Sequence, residues 1–371
     1  MARGPAGGVI EYLFLTPAPL VSIDGQVTSF GASVRLGSLA PTRALMGLGY
    51  DARTFSTSGD ATAATRAAAG AKRVVFGEMF PTEGDWAATV ATYERILATI
   101  PDPRTRVVFS IADDHFDQPS IRDFYAAALP ECRAVTTVSE RLAQTVRRFT
   151  ARPVRIVPEP SEGERAVPQA YVARKPPAPL DWLARRIGLS SDLWRARLLW
   201  FGYPQNLPPL LELIPALEAL ARRHPLMLTC VTSPVAEMSE LMSEARTRDS
   251  SALRVQFIPW SPLAMPLIIQ SNDMVLIPSD YRDPVKQAKS PNRLIAGVHG
   301  GRFVLAHPLP AYAPYAAFAW IGEDLCEGVQ WAIRHPREVV ERISRGQAYI
   351  DQHHSAEAVA RFWLDVLDSG D

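Results

Sequence analysis

Residues 273–306, DMVLIPSDYRDPVKQAKSPNRLIAGVHGGRFVLA, decide the fold. The stretch opens on the apolar run Asp273–Ile277 and passes through a polar loop. It takes up helical period over Pro291–Val298 and returns to a second apolar run, Arg302–Ala306. Runs this short, apolar without alternation, are strands buried on both faces of a parallel sheet. With a helix between them they form a βαβ unit.

The same rhythm continues in both directions. Upstream in the second half the strand candidates are Arg197–Phe201, Leu226–Val231 and Arg254–Ile258, with helices over Leu207–Arg223 and Glu237–Arg248. In the first half they are Val9–Leu15, Lys72–Phe76, Arg106–Ile111, Ala134–Val138 and Val154–Val157. Helical period covers Leu36–Leu48, Asp85–Thr99 and Ser139–Phe149 between those strands, and Pro336–His353 and Ala356–Leu367 at the end of the chain. The expected architecture is α/β, two Rossmann-like doubly wound domains facing a cleft. Five prolines between Glu159 and Asp192 mark the junction. The expected division is 1–165, a linker over 166–192, 193–345, and a C-terminal helical segment over 346–371.

Composition removes several function classes. Thirty-nine basic side chains balance thirty-nine acidic ones among 371 residues, so no net field draws nucleic acid or an anionic membrane. Three cysteines far apart (Cys132, Cys230, Cys326) fit reduced thiols, not a disulfide framework or a metal site. No apolar run approaches the roughly 18 residues of a membrane span. The expected location is cytoplasmic. Val9–Leu15 and the basic pair Arg147-Arg148 leave room for peripheral attachment to the inner face of a membrane.

In doubly wound sheets ligands bind beyond the carboxyl ends of the strands, and five loops there carry candidate chemistry. Ser29–Arg35 contains Gly31 for close backbone approach, Ser33 as a helix cap, and Arg35. Ala112–Phe116 brings Asp113, Asp114 and His115 to a strand end, as a general base or as ligands of sugar hydroxyls, against the alternative of a capping and a solvated carboxylate. Phe201–Asn206 offers Gly202 and a helix N-terminus to phosphate, with Tyr203 and Asn206 beside a nucleoside. Pro259, Trp260 and Ser261 offer an aromatic platform and backbone groups to a base, or a buried structural Trp. In Ala288–Ile295, Ser290 is read as the cap of a helix with Pro291 in its first turn. Lys289 and Arg293 then flank a helix N-terminus, where cations oppose the dipole unless an anion joins them. A diphosphate fits, with Ser290 and Asn292 alongside. His299 and His307 flank a buried strand, as structural groups or as neighbours of a nucleotide. No metal-ligand spacing occurs.

On these residues the chain resembles glycosyltransferases with the GT-B fold, the family 4-like (group 1) enzymes in particular. The likeness runs through Leu199–Gly202, Phe257–Trp260, Val275–Ser279, Ser290–Arg293 and Gly301–Val304. In the first half it follows Gly31–Arg35, Asp113–Phe116, Thr137–Leu142 and Val157–Pro160. The resemblance implies transfer of a sugar, of hexosyltransferase type, from a nucleoside-diphosphate-sugar to an acceptor hydroxyl in glycan or polysaccharide biosynthesis. It implies no cofactor and no metal, an acceptor that is a glycan, a lipid-linked or a small molecule, and terminal helices that brace the first domain. The family also places a Glu at each of two positions occupied here by Ala288 and Ala296. Asp280 and Asp283 are the available replacements for the lost hydroxyl contacts. Two other readings stay open: a nucleotide-sugar epimerase of the same fold, and a member that binds a nucleotide sugar or a partner without turnover.

Overall fold

The computed structural model describes residues 9–81, 84–172, 195–233 and 253–368. The chain forms two compact units. The first contains residues 1–161 together with Gln287–Ser290 and Gln352–Asp371, and the second contains Glu162–Lys286 and Pro291–Asp351. The helix expected over Glu237–Arg248 and most of the stretch read as linker, 173–192, lie outside the described residues.

The first unit is built on β1 (Tyr12–Thr16), a hairpin of β2 (Val21–Ile23) and β3 (Gln26–Thr28), and then β4 (Ala52–Ser56), β5 (Arg73–Phe76), β6 (Val107–Ile111), β7 (Ala134–Thr137) and β8 (Val154–Ile156). Six of these pair in parallel, in the order β4-β1-β5-β6-β7-β8. Every residue of β1, β5, β6 and β7 is buried, which is why each reads as an unbroken run. Because β4 is an edge strand, largely half-buried and carrying Arg53, Thr54 and Ser56, it has no apolar signature. The β2–β3 hairpin turns at Asp24-Gly25, both with positive φ (50° and 79°), the conformation for which Asp-Gly is the common two-residue turn. Neither feature follows from a search for apolar runs.

The chain reverses direction across the sheet between β1 and β5, the switch point at which doubly wound sheets open a crevice. Gly77 follows β5 there, and a Cβ on it would stand 2.7 Å from the carbonyl oxygen of Leu15. Only glycine lets the two strand ends approach this closely. The last helix, Ala356–Asp368, also belongs to this unit: Trp363 is fully buried, edge-on to Phe14. Its terminal carbonyls are capped by guanidinium groups, Arg73 Nε on Leu367 at 2.7 Å and Arg133 Nε on Val366 at 3.4 Å.

The second unit is built on β9 (Ala196–Phe201), β10 (Leu226–Thr232), β11 (Leu253–Pro259), β12 (Met274–Ile277), β13 (Phe303–Ala306) and β14 (Trp320–Ile321). They run parallel in the order β11-β10-β9-β12-β13-β14, which is the 3-2-1-4-5-6 order of dinucleotide-binding folds. The switch point lies between β9 and β12. Residues 162–172 are pinned to this unit: Ala166 N donates to His299 at 3.1 Å and Gln169 N to Gly301 at 3.0 Å. The buried Arg302 guanidinium donates to the carbonyls of Val167 and Gly301. Among the described residues no helix is long and apolar enough to cross a membrane.

Candidate active site

Each unit gathers polar side chains beyond the carboxyl ends of its own sheet. In the first unit the centre of the group is Glu78, a residue no local motif singles out. It follows Gly77 at the end of β5, and its side chain is 3% exposed. Its Oε2 accepts the amide of Ala112, and that of Asp113 at 3.1 Å, both at the end of β6. Its Oε1 lies 3.8 Å from His115 Nε2. The His115 ring packs against Trp86, with centroids 4.9 Å apart. Asp113 Oδ1 receives Lys289 Nζ from the segment 287–290.

The charges explain the protonation of this group. Burial, and then the neighbouring Asp113 carboxylate, push the Glu78 carboxyl up to about 8, against the opposing pull of its two amide donors and Lys289. Burial pushes the His115 imidazole down, with Asp113 pulling the other way. Burial thus favours the uncharged form of both Glu78 and His115.

The structure thus brings Asp113 and His115 together and turns Asp114 elsewhere. Asp114 Oδ2 accepts Thr145 Oγ1 at 3.3 Å and its Oδ1 accepts the Phe116 amide at 3.4 Å, so it closes its own loop. Gly31 is the residue before the helical turn Ala32–Val34, and its amide donates to Ser29 Oγ at 3.3 Å. The cap expected from Ser33 is not made, because Ser33 lies inside that turn. Arg35 Nη1 donates to the carbonyls of Ser29 and Phe30, both at 3.1 Å, and braces the loop.

In the second unit the group lies at the switch point. Gly202 follows β9, and a Cβ placed on it would stand 3.3 Å from Arg293 Nη1. Arg293 Nη1 also reaches the carbonyl of Phe201 at 3.3 Å. Lys286 Nζ donates to Asn206 Oδ1 at 2.8 Å. Asn206 thus orients a cation, and Lys286 is a second basic residue that the sequence reading did not include. The helix Asn292–His299 starts one residue later than expected: Pro291 precedes it with φ −83° and ψ 12°, and no side chain caps it. Ser290 is not the cap, because Pro291 occupies the cap position; the segment Gln287–Ser290 belongs to the first unit, where the buried Ser139 hydroxyl donates to the Ala288 carbonyl at 2.6 Å.

The remaining candidates spread along the same edge of the second sheet. Pro259 ends β11, and the Trp260 amide donates to Thr232 at 3.1 Å. Trp260 packs partly buried against the core. The Ser261 carbonyl accepts Met265 N at 3.1 Å and opens the next helix. Tyr203 is 47% exposed. Asp280 and Asp283 accept amides of their own loop, from Arg282 at 3.2 Å and Val285 at 2.9 Å. His307 is fixed by Ser279, its Nδ1 2.8 Å from that carbonyl. Among the described residues no three His, Cys, Asp or Glu side chains converge as a metal site. Burial raises the thiols of Cys132 and Cys230 to about 12, so neither is a nucleophile.

By sequence, no family model and no curated protein matches the chain. Solved structures do match it. HepE of Anabaena, in complex with UDP-glucose, is 12% identical with a TM-score of 0.62, over 97% of this chain and 99% of that one. A glycosyltransferase from Rickettsia africae is 10% identical with a TM-score of 0.61, over 97% and 99%. An alpha-glucosyltransferase in complex with UDP-glucose and DNA containing an abasic site is 10% identical with a TM-score of 0.62, over 96% and 98%. At such identities the likeness is one of fold, and with the two sheet orders it establishes that this chain has the GT-B fold of two Rossmann-like units.

Proposed function

We propose that the protein is a glycosyltransferase that moves a sugar from a nucleoside-diphosphate-sugar donor to an acceptor hydroxyl. The observation that carries the reading is the placing of Arg293 and Lys286 at the β9–β12 switch point of a sheet with dinucleotide-binding order. Ligands bind at such a crevice. A guanidinium beside a glycine, at the first turn of Asn292–His299, suits two oxygens of a diphosphate. The UDP-glucose bound in two of the structures with this fold supports a uridine donor.

In this scheme the second unit holds the nucleotide, with Tyr203 and Trp260 beside the base. As the C1–O bond breaks, negative charge develops on the diphosphate, and Arg293 with the helix amides stabilises it without a metal. The first unit presents Asp113 and His115 to the acceptor. A second reading, a nucleotide-sugar binder without turnover, is favoured by Ala288 and Ala296, where the resemblance implies carboxylates.

A thermal shift against UDP, GDP, ADP, CDP and dTDP tests the donor site, with Arg293→Ala alongside. Ligand at about a hundred times its Kd stabilises by about 2.7 kcal/mol, which is several degrees. One diphosphate should stabilise the protein selectively and Arg293→Ala should cut the shift to about half or less. If none does, the proposal fails. If one does and its sugar conjugate is never hydrolysed or transferred, the binder reading replaces it.

A further inference from the structure

The strap of residues 162–172, which contains no helix or strand, is a part of the second unit that the proposed function leaves without a role. Its fastening centres on His299, the last residue of the helix Asn292–His299. The His299 carbonyl accepts the Ala166 amide at 3.1 Å and Gln347 Nε2 at 3.0 Å. Gln347 Nε2 also donates to the Ala166 carbonyl at 2.7 Å, and Gln347 Oε1 accepts Arg165 Nε at 3.0 Å. Arg165 Nη1 donates in turn to Asp351 Oδ2 at 2.6 Å.

The His299 ring belongs to the same network, and its side chain is 8% exposed. Nε2 lies 3.9 Å from Asp351 Oδ1, and the Glu162 backbone offers the ring a hydrogen bond. Nδ1 is buried and, among the described residues, has no hydrogen-bond partner. A neutral ring tolerates this, since Nδ1 then carries only a lone pair. A protonated ring does not: it puts a charged N–H where neither acceptor nor water meets it. Three groups face the ring, Asp351 from the helix Pro336–His353 and Arg165 and Glu162 from the strap. Asp351 is the one counter-charge among them whose side chain is placed near the ring, and it already holds Arg165. Burial accordingly pushes the His299 imidazole down, with Asp351 pulling the other way.

We propose that His299 is an acid-sensitive fastener, which holds residues 162–172 on the second unit while neutral and releases them when protonated. This inference does not depend on the transferase reading. Release brings water to the new Nδ1 proton and separates the imidazolium from Arg165. The fastened state prefers the neutral ring, whereas the released ring titrates in the ordinary histidine range. Fastening is therefore full above about pH 6.5 and is lost as the pH falls below it. Glu162 is the first residue of the second unit and Asp351 its last, so the fastener sits where the chain crosses between units. Release adds the strap to the length of the first crossing.

Hydrogen exchange of the full chain between about pH 7.5 and 5.5, corrected for the intrinsic pH dependence of exchange, tests the release. The amides of Ala166 and Gln169, bonded to the carbonyls of His299 and Gly301, report on the strap. In the wild type their protection should fall about three- to tenfold, as a released ring takes up its proton near pH 6.5. The amides of β12 and β13 should keep theirs. His299→Gln, which keeps a donor near the place of Nε2 and does not titrate, should hold the strap at pH 5.5 as well as at 7.5. NMR of the His299 ring nitrogens in the wild type, assigned with that variant, should show the ring charging at the midpoint of the exchange change. A fall of less than about threefold in the wild type overturns the fastener, as does an equal fall in His299→Gln. A loss shared by β12 and β13 overturns it too, since that is general unfolding. If His299→Gln leaves the strap unprotected at every pH, the ring signals decide. A common midpoint then supports the fastener, and a charged ring under a strap still protected overturns it.

Discussion

Ser139 Oγ donates a 2.6 Å hydrogen bond to the carbonyl of Ala288, 149 residues away in the chain, and both residues are buried in the first unit. The bond fixes the segment that carries Lys289 to Asp113. It also changes the meaning of the alanine. Ala288 is 2% exposed and part of the apolar core, so a longer side chain has no solvent to reach.

Restoring the carboxylate implied by the resemblance is therefore expected to damage the protein. Ala288→Glu buries a charge with Lys289 already engaged, and we expect a loss of roughly 3 kcal/mol or more. Ala288→Ser should cost far less. Thermal melts of the two variants check this; an Ala288→Glu protein as stable as the wild type would contradict the packing.

At the switch point of the second unit, Arg293→Ala should weaken nucleoside-diphosphate binding about ten- to a hundredfold, the effect of about 1.5–3 kcal/mol from a charge-assisted hydrogen bond. The folded state should lose little, since Arg293 makes a 3.3 Å contact to one carbonyl. Gly202→Ala should weaken binding less, because its Cβ displaces the guanidinium by only a few tenths of an ångström from a 3.3 Å approach. Isothermal titration of both variants with UDP measures the order.

Stability should depend on pH through the first unit's pair. Glu78 is raised from 4.5 to about 8 in the folded chain. Between those values the folded chain keeps a proton that the unfolded chain has lost, so this contribution is full below 4.5 and gone above 8. His115 is lowered, so its contribution is lost as pH falls below about 6.5. The melting temperature of the wild type should fall between pH 6 and 9. Glu78→Gln should flatten that alkaline arm and leave the acid arm in place.

The sequence made visible whatever burial on two faces imposes. The runs at β1, β5, β6, β7, β9, β10, β12 and β13 show because a central parallel strand is covered on both faces and is mostly apolar, with a few buried polar residues such as Thr136 and Thr229 among them. β4 and the two-residue β14 are sheet-edge strands and the β2–β3 hairpin is largely exposed, so their residues escape that constraint. At the sites, local spacing put Lys289 and Arg293 at one helix terminus; the approach of Arg293 to Gly202 comes from the fold. The partner of Lys289, Asp113, lies 176 residues away, a distance that no local pattern spans. Glu78 was within reach of the rule that ligands bind beyond strand ends, since it is the second residue after β5. A lone Glu has no motif around it, however, and its significance comes from the β6 amides that fold against it.

The docking of the last helix gives a final expectation. Trp363 is fully buried against Phe14, with ring centroids 5.1 Å apart, and its Nε1 has no hydrogen-bond partner. Its contribution is therefore packing alone. Trp363→Ala should cost about 3–5 kcal/mol, roughly 10 °C in melting temperature, by opening a cavity beside β1. Trp363→Phe retains the edge-on contact and deletes an N–H that makes no bond, so it should cost less than half as much. Calorimetry on the two variants measures both effects. If Trp363→Ala melts with the wild type, the helix Ala356–Asp368 is not part of the first unit's core. If the two variants fall equally, the loss lies in the part of the indole that phenylalanine lacks, and the edge-on contact that phenylalanine keeps contributes nothing.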